Sequence, residues 1–430
     1  MGSPEDEATK QGNVLRDKGD FDGAIAAYTE AIRLNPQNAQ PYSSRGQAYL
    51  RKGEFDKAIA DCNSAIQLDP MMAEAYCWRG SCHGRNGDSD KAMADCTEAI
   101  RLDPRSAEAY FVRGIAYWQK ADFDRAITDY TEAIRLNPKY AKAYYNRGIV
   151  YAEKDDYDKA IADYTDAIRL DPKLARAYCN RGLVYRNKGD YDKAIADCTD
   201  AIRRDPKHAK AYYSRGAANR NKGDYDKAIA DCTDAIRLDP KLAAAYGYRG
   251  LAYWDKGDYG KAIDDFTDAI RLDPKPVEAY SNRGGAYAER GDYDKAIADY
   301  TAAIRLDPQL AALYFNRGAA YAKTSDHDKA IADYTEAIRL NPKYAKAYYS
   351  RGHAYCKKGD HDKAITDYTA AIQINPKDGT TFYARGYSYW QKGDKANAKA
   401  DFAQAKKLGY KAKSRMFCAL HSLMWWRNSK

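Results

Sequence analysis

Residues 141–172, AKAYYNRGIVYAEKDDYDKAIADYTDAIRLDP, decide the fold. Tyr144, Gly148 and Tyr151 fall at i, i+4 and i+7, the spacing that gathers three side chains on one face of a helix. After Lys154-Asp155-Asp156 a second stripe begins, Ala160, Ile161, Tyr164, Ala167 and Ile168, and it closes at Leu170-Asp171-Pro172. One helix, a tight turn and a second helix form the unit.

Working outward, Pro172 is one of eleven prolines, from Pro36 to Pro376, each 34 residues after the last. A fixed period of this length means one small unit copied and stacked, in which each copy touches mainly its neighbours. The chain therefore reads as a continuous all-α solenoid over residues 3–410 followed by a separate segment, 411–430, and function is to be sought along a face. Composition agrees with a folded protein: of 430 residues 45% are apolar and 30% charged.

Small residues recur where helices approach, as at Gly148, Ala160 and Ala167. Most turns read like Lys188-Gly189-Asp190, with Gly suited to a left-handed helix exit and Asp to capping the next helix. In three copies Ala121, Asp155 and Ser325 stand in place of that Gly, and locally weaker turns are expected there.

The pattern Tyr-x-x-x-Gly-x-x-Tyr, then Ala-x-x-x-Tyr-x-x-Ala and a closing Pro, resembles the tetratricopeptide repeat, in about twelve copies covering roughly residues 3–410. The resemblance implies antiparallel helix pairs stacked in a right-handed superhelix, a concave groove lined by the first helices, protein or peptide binding in that groove, and no catalysis. It also exposes a departure. Where the family usually has Leu before the recurrent Gly, this chain has Arg in eleven copies, as at Arg147 and Arg317. On the second helix Asp163, Asp333 and their equivalents stand where the family often has an aromatic, and the copy with Gln11 in place of Arg has Ala27 in place of Asp. Joint absence points to an Arg–Asp pair across the helix interface, in the same or an adjacent repeat.

Other first-helix slots vary between copies, and variation on the groove side marks candidate binding residues. Beside the Arg-Gly pair stand Phe111, Tyr145, Tyr213, Phe315 and Tyr349; just after it come Ile149 and Leu183; one turn later come Trp118, Arg186, Trp254 and Trp390. Asn146, Asn180, Asn282 and Asn316 share one slot in two adjacent pairs, and an amide can both donate to and accept from a peptide backbone. Such asparagines resemble the ladder in the tetratricopeptide arm of O-linked N-acetylglucosamine transferases; solvated amides without a partner are the alternative. Trp118, Trp254 and Trp390 recur every 136 residues, as a duplicated four-repeat block would produce, and each reads either as an interface anchor or as packing against the next repeat. Only fragments of the cationic clamp that binds chaperone tails in some family members are present.

No reactive constellation is apparent. Cys62, Cys96, Cys198 and Cys232 replace the second-helix aromatic and read as small core residues, and Cys77, Cys82 and His83 lack the spacing of structural zinc. No metal, cofactor or catalytic group is assigned. The acidic start without an apolar stretch suggests a cytoplasmic address. Of the net charge of +9, seven positive charges fall at Lys406, Lys407, Lys411, Lys413, Arg415, Arg427 and Lys430, so the body is near neutral and argues against specific nucleic-acid binding.

The segment 411–430 carries Met416, Phe417, Leu420, Leu423, Met424, Trp425 and Trp426 at spacings compatible with a capping helix; the alternative is a docking tail for a membrane surface or a larger complex. The functional expectation is a non-catalytic scaffold that binds an extended peptide or partner protein, with a tail-tethered assembly array as the second reading.

Overall fold

The structure, a computed structural model, describes residues 3–273 and 275–410, and every regular element in that range is α-helical. It forms two units. The first, Met1–Lys222, contains α1 (Pro4–Asp17), α2 (Phe21–Leu34), α3 (Ala39–Lys52), α4 (Phe55–Leu68), α5 (Ala73–Arg85), α6 (Ser89–Leu102), α7 (Ala107–Gln119), α8 (Phe123–Leu136), α9 (Ala141–Glu153), α10 (Tyr157–Leu170), α11 (Ala175–Asn187), α12 (Tyr191–Arg204) and α13 (Ala209–Lys222). The second, Gly223–Lys430, contains α14 (Tyr225–Leu238), α15 (Ala243–Asp255), α16 (Tyr259–Leu272), α17 (Val277–Glu289), α18 (Tyr293–Leu306), α19 (Ala311–Lys323), α20 (His327–Leu340), α21 (Ala345–Lys357), α22 (His361–Ile374), α23 (Gly379–Gln391) and α24 (Lys395–Lys407). Within each unit consecutive helices pack on one another, the odd-numbered ones (A helices) alternating with the even-numbered ones (B helices).

Local chemistry follows the sequence reading. Asp156 caps α10 by accepting from the Lys159 amide, and Asp88, Asp190 and Asp326 do the same for their B helices. Gly148 is required by close approach: a Cβ there would stand 2.9 Å from Cε1 of Tyr164. In the A-to-B turns glycines take φ of 79–89°, and Ala121, Asp155 and Ser325 are held in the same left-handed region at 58°, 58° and 64°. The architecture imposes this conformation whether or not glycine is present. Ala121→Gly and Ser325→Gly are therefore expected to stabilise by about 0.5–1 kcal/mol each, measured by chemical denaturation. Asp155→Gly should gain less, because the Tyr157 hydroxyl donates to Asp155 Oδ1 at 2.7 Å.

Arg and Asp do pair, and within one repeat. Ten such pairs are described, each joining an A-helix guanidinium to the carboxylate sixteen residues on. Arg147 donates from Nε to Asp163 Oδ2 and from Nη2 to Asp163 Oδ1, both at 2.8 Å, so the contact is bidentate. Its third donor, Nη1, reaches back to Thr131 Oγ1 of the preceding repeat at 2.9 Å, while Thr131 donates to the Ile127 carbonyl. Arg181, Arg249, Arg317 and Arg385 repeat this reach to Thr165, Thr233, Thr301 and Thr369. One guanidinium thus sets both the register of its own helix pair and the seating of that pair on the one before.

A second ladder runs on the exposed side. Lys52, Lys120, Lys154, Lys222 and Lys256, each at the end of an A helix, pair with Asp22, Asp90, Asp124, Asp192 and Asp226, thirty residues earlier in the preceding B helix. Where Gly260 stands in place of that Asp, Arg290 turns to Asp292 of its own repeat. Exposure keeps each pair weak, about 0–1 kcal/mol.

The described array ends on a polar face. Lys399 and Lys406 of α24 are exposed in the two slots that hold Ile161 and Ile168 on α10. The segment 411–430, expected to cap or to dock, lies outside the described residues.

Candidate functional site

The identity of the residue in the B-helix slot of Tyr28, Tyr130, Tyr164, Phe266, Tyr300, Tyr334 and Tyr368 tracks with how closely neighbouring A helices approach. Where Cys62, Cys96 and Cys198 replace the ring, the flanking A helices (α3 and α5, α5 and α7, α11 and α13) come closer together than at the aromatic copies. These cysteines are buried in the core, as expected, and burial pushes their thiols well above the usual value. A ring in the slot acts as a wedge.

Over the Tyr164 wedge a cleft of about 480 Å³ opens between α9 and α11. Tyr145, Ile149, Ala152 and Tyr157 form one wall, Leu183 and Val184 the other, Tyr164 lies against it, and Asn180 and Asn187 contribute amides. Asn180 Nδ2 donates to Tyr145 Oη at 3.1 Å, tying the two walls together. Arg176 and Lys210 stand at the rim with His208, and Glu153 is at the wall of α9. Burial raises the Tyr145 phenol pKa and the Arg176 charge opposes that shift. Burial also lowers the His208 pKa; Asp205 opposes this, and the charges of Arg176 and Lys210 add to it, so the imidazole is neutral at neutral pH.

Of the residues singled out from the sequence, Tyr145, Ile149, Asn180 and Leu183 are brought together here. Asn146 lies beside the Tyr130 phenol of the preceding repeat. Arg186 and Tyr213 are half-buried in the same unit. Phe111 is only 8% exposed, its ring 4.9 Å from that of Tyr140 and 5.9 Å from that of Tyr130, so it works mainly as core. Trp118 packs on that core and donates from Nε1 to Glu153 at 2.7 Å. In the second unit Phe315 packs on Tyr334 and Tyr344, Tyr349 on Tyr368, and Trp390 lies near Tyr387. Trp254 leans on Phe266 and fills the space over Gly285, where a Cβ would come within 2.2 Å of it. Asn282 and Asn316 are half-buried.

Profiles described as "TPR repeat" match residues 12–53, 46–87 and 352–393, and profiles described as "Tetratricopeptide repeat" match 73–106, 111–175, 179–243, 249–311, 311–344, 333–366 and 380–408. The chain belongs to the tetratricopeptide repeat family. Its fold is that of a protein–protein interaction scaffold, in a family typically without catalytic function. Among solved structures it is similar to Cut9–Hcn1 of the APC/C, at 16% identity with 95% of this chain and 94% of that one covered and a TM-score of 0.49. It is also similar to yeast Tom70, at 18% identity, 95% and 99% coverage and a TM-score of 0.43. YrrB, titled a TPR protein with an unusual peptide-binding site, is 24% identical over 44% of this chain and 97% of its own, with a TM-score of 0.39. No curated protein sequence matches.

Sequence reading missed the cleft's rim and its wedge. Arg176 and Lys210 share a slot that changes from Glu74 and Glu108 to cations in successive repeats, His208 sits in one that varies without an obvious theme, and the signal for the wedge was the alternation of Cys with aromatic in one B-helix column. Among the described residues no group of three or more His, Cys, Asp or Glu is placed to hold a metal ion, and no helix is long and apolar enough to cross a membrane.

Proposed function

We propose that this tetratricopeptide repeat protein is a non-catalytic scaffold that holds an extended segment of a partner protein along its A helices, with an anchor in the cleft between α9 and α11. The cleft carries this reading. Its volume, about 480 Å³, lies within the range of ligand pockets, and it joins half-buried apolar walls at Ile149 and Leu183 to a few amides that can meet a peptide backbone. An apolar side chain of the partner would enter between Ile149 and Leu183, and Asn180, fixed by Tyr145, would meet the adjoining backbone.

Screening the full chain against an array of unstructured peptides tests this. Leu183→Asp should weaken the selected peptides at least about tenfold and Asn180→Ala by less, each with unchanged helicity. Identical profiles for the native protein and Leu183→Asp would remove the cleft from the proposal.

A further inference from the structure

Lys142, Arg176 and Lys210 hold one slot, the second residue of three successive A helices, α9, α11 and α13. All three are exposed, and among the described residues none is engaged in a salt bridge or hydrogen bond. This sets them apart from most cations of the same unit, such as Arg147, Lys154, Arg169 and Lys188, which are paired with aspartates. The two preceding repeats carry the opposite charge in this slot, Glu74 and Glu108. The first turn of a helix favours an anion, because the macrodipole puts partial positive charge there. Three cations in a row therefore work slightly against folding where the A-helix face opens into the cleft between α9 and α11.

Two of these charges reach that cleft, and Lys142 continues their row on the neighbouring helix α9. Arg176 and Lys210 are on its rim, and both act on His208 between them. Arg176 also acts on Tyr145, and Lys210 on the buried Cys179 thiol, which burial pushes up to about 11. Below the rim the walls are mainly apolar at Tyr145, Ile149, Ala152, Leu183 and Val184, with the amides of Asn180 and Asn187 among them and the one carboxylate of the lining, Glu153, held by Trp118 Nε1.

We infer that the partner segment is acidic as well as apolar: an extended stretch with one aliphatic or aromatic side chain in the cleft and side-chain carboxylates on Lys142, Arg176 and Lys210. This rests on the groove reading above and adds the chemical class of the ligand. The spacing is also constrained. Helices packed side by side stand roughly 10 Å apart and an extended chain advances about 3.3 Å per residue, so the step is about three residues where Cys198 lets α11 and α13 draw together and somewhat longer where Tyr164 separates α9 and α11. Acidic residues about three apart would therefore meet successive cations. A single carboxylate at a chain end could satisfy only one of the three, so the carboxylates are those of side chains.

The test uses the full chain and fluorescein-labelled, C-terminally amidated peptides read by polarisation. One carries Asp at every third position around a central Leu, one carries the same residues with the Asp clustered at one end, and one replaces Asp with Asn. The spaced acidic peptide should bind at least about tenfold more tightly than the Asn peptide and several-fold more tightly than the clustered one. Its affinity should fall with added salt. Lys142→Glu/Arg176→Glu/Lys210→Glu should abolish the preference for Asp while leaving the weaker, Leu183-dependent binding of the Asn peptide. Each change lies on an exposed residue, and circular dichroism checks the fold. Equal affinity of the acidic and Asn peptides, with both sensitive to Leu183→Asp, would overturn the acidic class and leave the groove standing. Absence of binding by any peptide would sink both. Binding that requires a phosphorylated peptide, or that a single-stranded oligonucleotide displaces while Leu183→Asp has no effect, would also overturn the assignment.

Discussion

Arg147→Leu is expected to destabilise the first unit by roughly 3–5 kcal/mol, and Arg147→Leu/Asp163→Leu to recover most of the loss. The asymmetry follows from burial. The side chains of Arg147 and Asp163 are 16% and 6% exposed, so both charges have left water and each relies on the other. Burial pushes the Asp163 carboxyl above its ordinary value and the Arg147 guanidinium brings it only part of the way back; Asp265, opposite Arg249, behaves alike. The intact pair therefore adds little net stability, whereas the single substitution leaves a carboxylate with no counter-charge and deprives Thr131 of its donor.

The pH dependence separates this from simple loss of packing. A carboxyl whose folded pKa is raised destabilises the fold only when ionised, so its contribution to stability is complete below the unfolded value and is lost as pH rises through the folded one. Removing Arg147 raises the folded value of Asp163 further. The deficit of Arg147→Leu should thus be largest near pH 7 and shrink progressively as pH falls from the raised folded value of Asp163 towards the ordinary carboxylate value, about 4, in urea melts referenced to the native chain at each pH. A deficit independent of pH, or a double variant no better than the single, would mean that the guanidinium serves as packing and not as the partner of a buried anion.

Much of the scaffold was legible because the repeat supplies its own controls. Pro172 and its equivalents mark the period, Gly189 and Asp190 the turn, and the coincidence of Gln11 with Ala27 isolates Arg and Asp as a couple. Structure adds what a coincidence within one repeat cannot give, namely that the third guanidinium donor belongs to the preceding repeat at Thr131. The recognition face was harder to read. Variation in a column signals freedom from packing only if the column packs on nothing that varies with it, and several of these columns do. Trp254 is accommodated because the residue 31 positions later is Gly285, where α9 has Ile149. Asn146, Asn180, Asn282 and Asn316 each follow, by sixteen residues, an aromatic B-helix residue, Tyr130, Tyr164, Phe266 or Tyr300, while Trp78, Val112, Ser214 and Tyr248 follow the cysteines. Asparagine thus occurs in this slot only after an aromatic, although Tyr28, Tyr334 and Tyr368 are followed by Ser44, Ser350 and Ala384, so the dependence runs one way. Single columns hide such pairs; columns taken two at a time across the repeat boundary would have shown them.

Tyr164→Cys is expected to close the cleft and to abolish peptide anchoring without unfolding the chain. Cysteine is a native residue of this slot in the copies with Cys62, Cys96 and Cys198, and there the A helices on either side draw together. At Tyr164 the ring holds α9 and α11 apart, and its edge lies against Gly148, where a Cβ would meet Cε1 at 2.9 Å. Replacing a buried aromatic by a small side chain typically costs about 3–5 kcal/mol, less whatever the neighbours recover by collapsing into the space. Collapse is the outcome that this protein's own cysteine copies exemplify. Part of the lost volume is then taken from the cleft, so peptides selected by the native chain should bind at least about tenfold more weakly. Cross-linking or spin labels on α9 and α11 should report a shorter separation. Leu183→Asp would weaken binding with the helix spacing unchanged, whereas Tyr164→Cys should change both together. If the spacing contracts and peptide affinity does not fall, ligands are held elsewhere on the A-helix face; if the spacing stays as it is, the ring is ordinary core filling and the width of the cleft is set by the backbone.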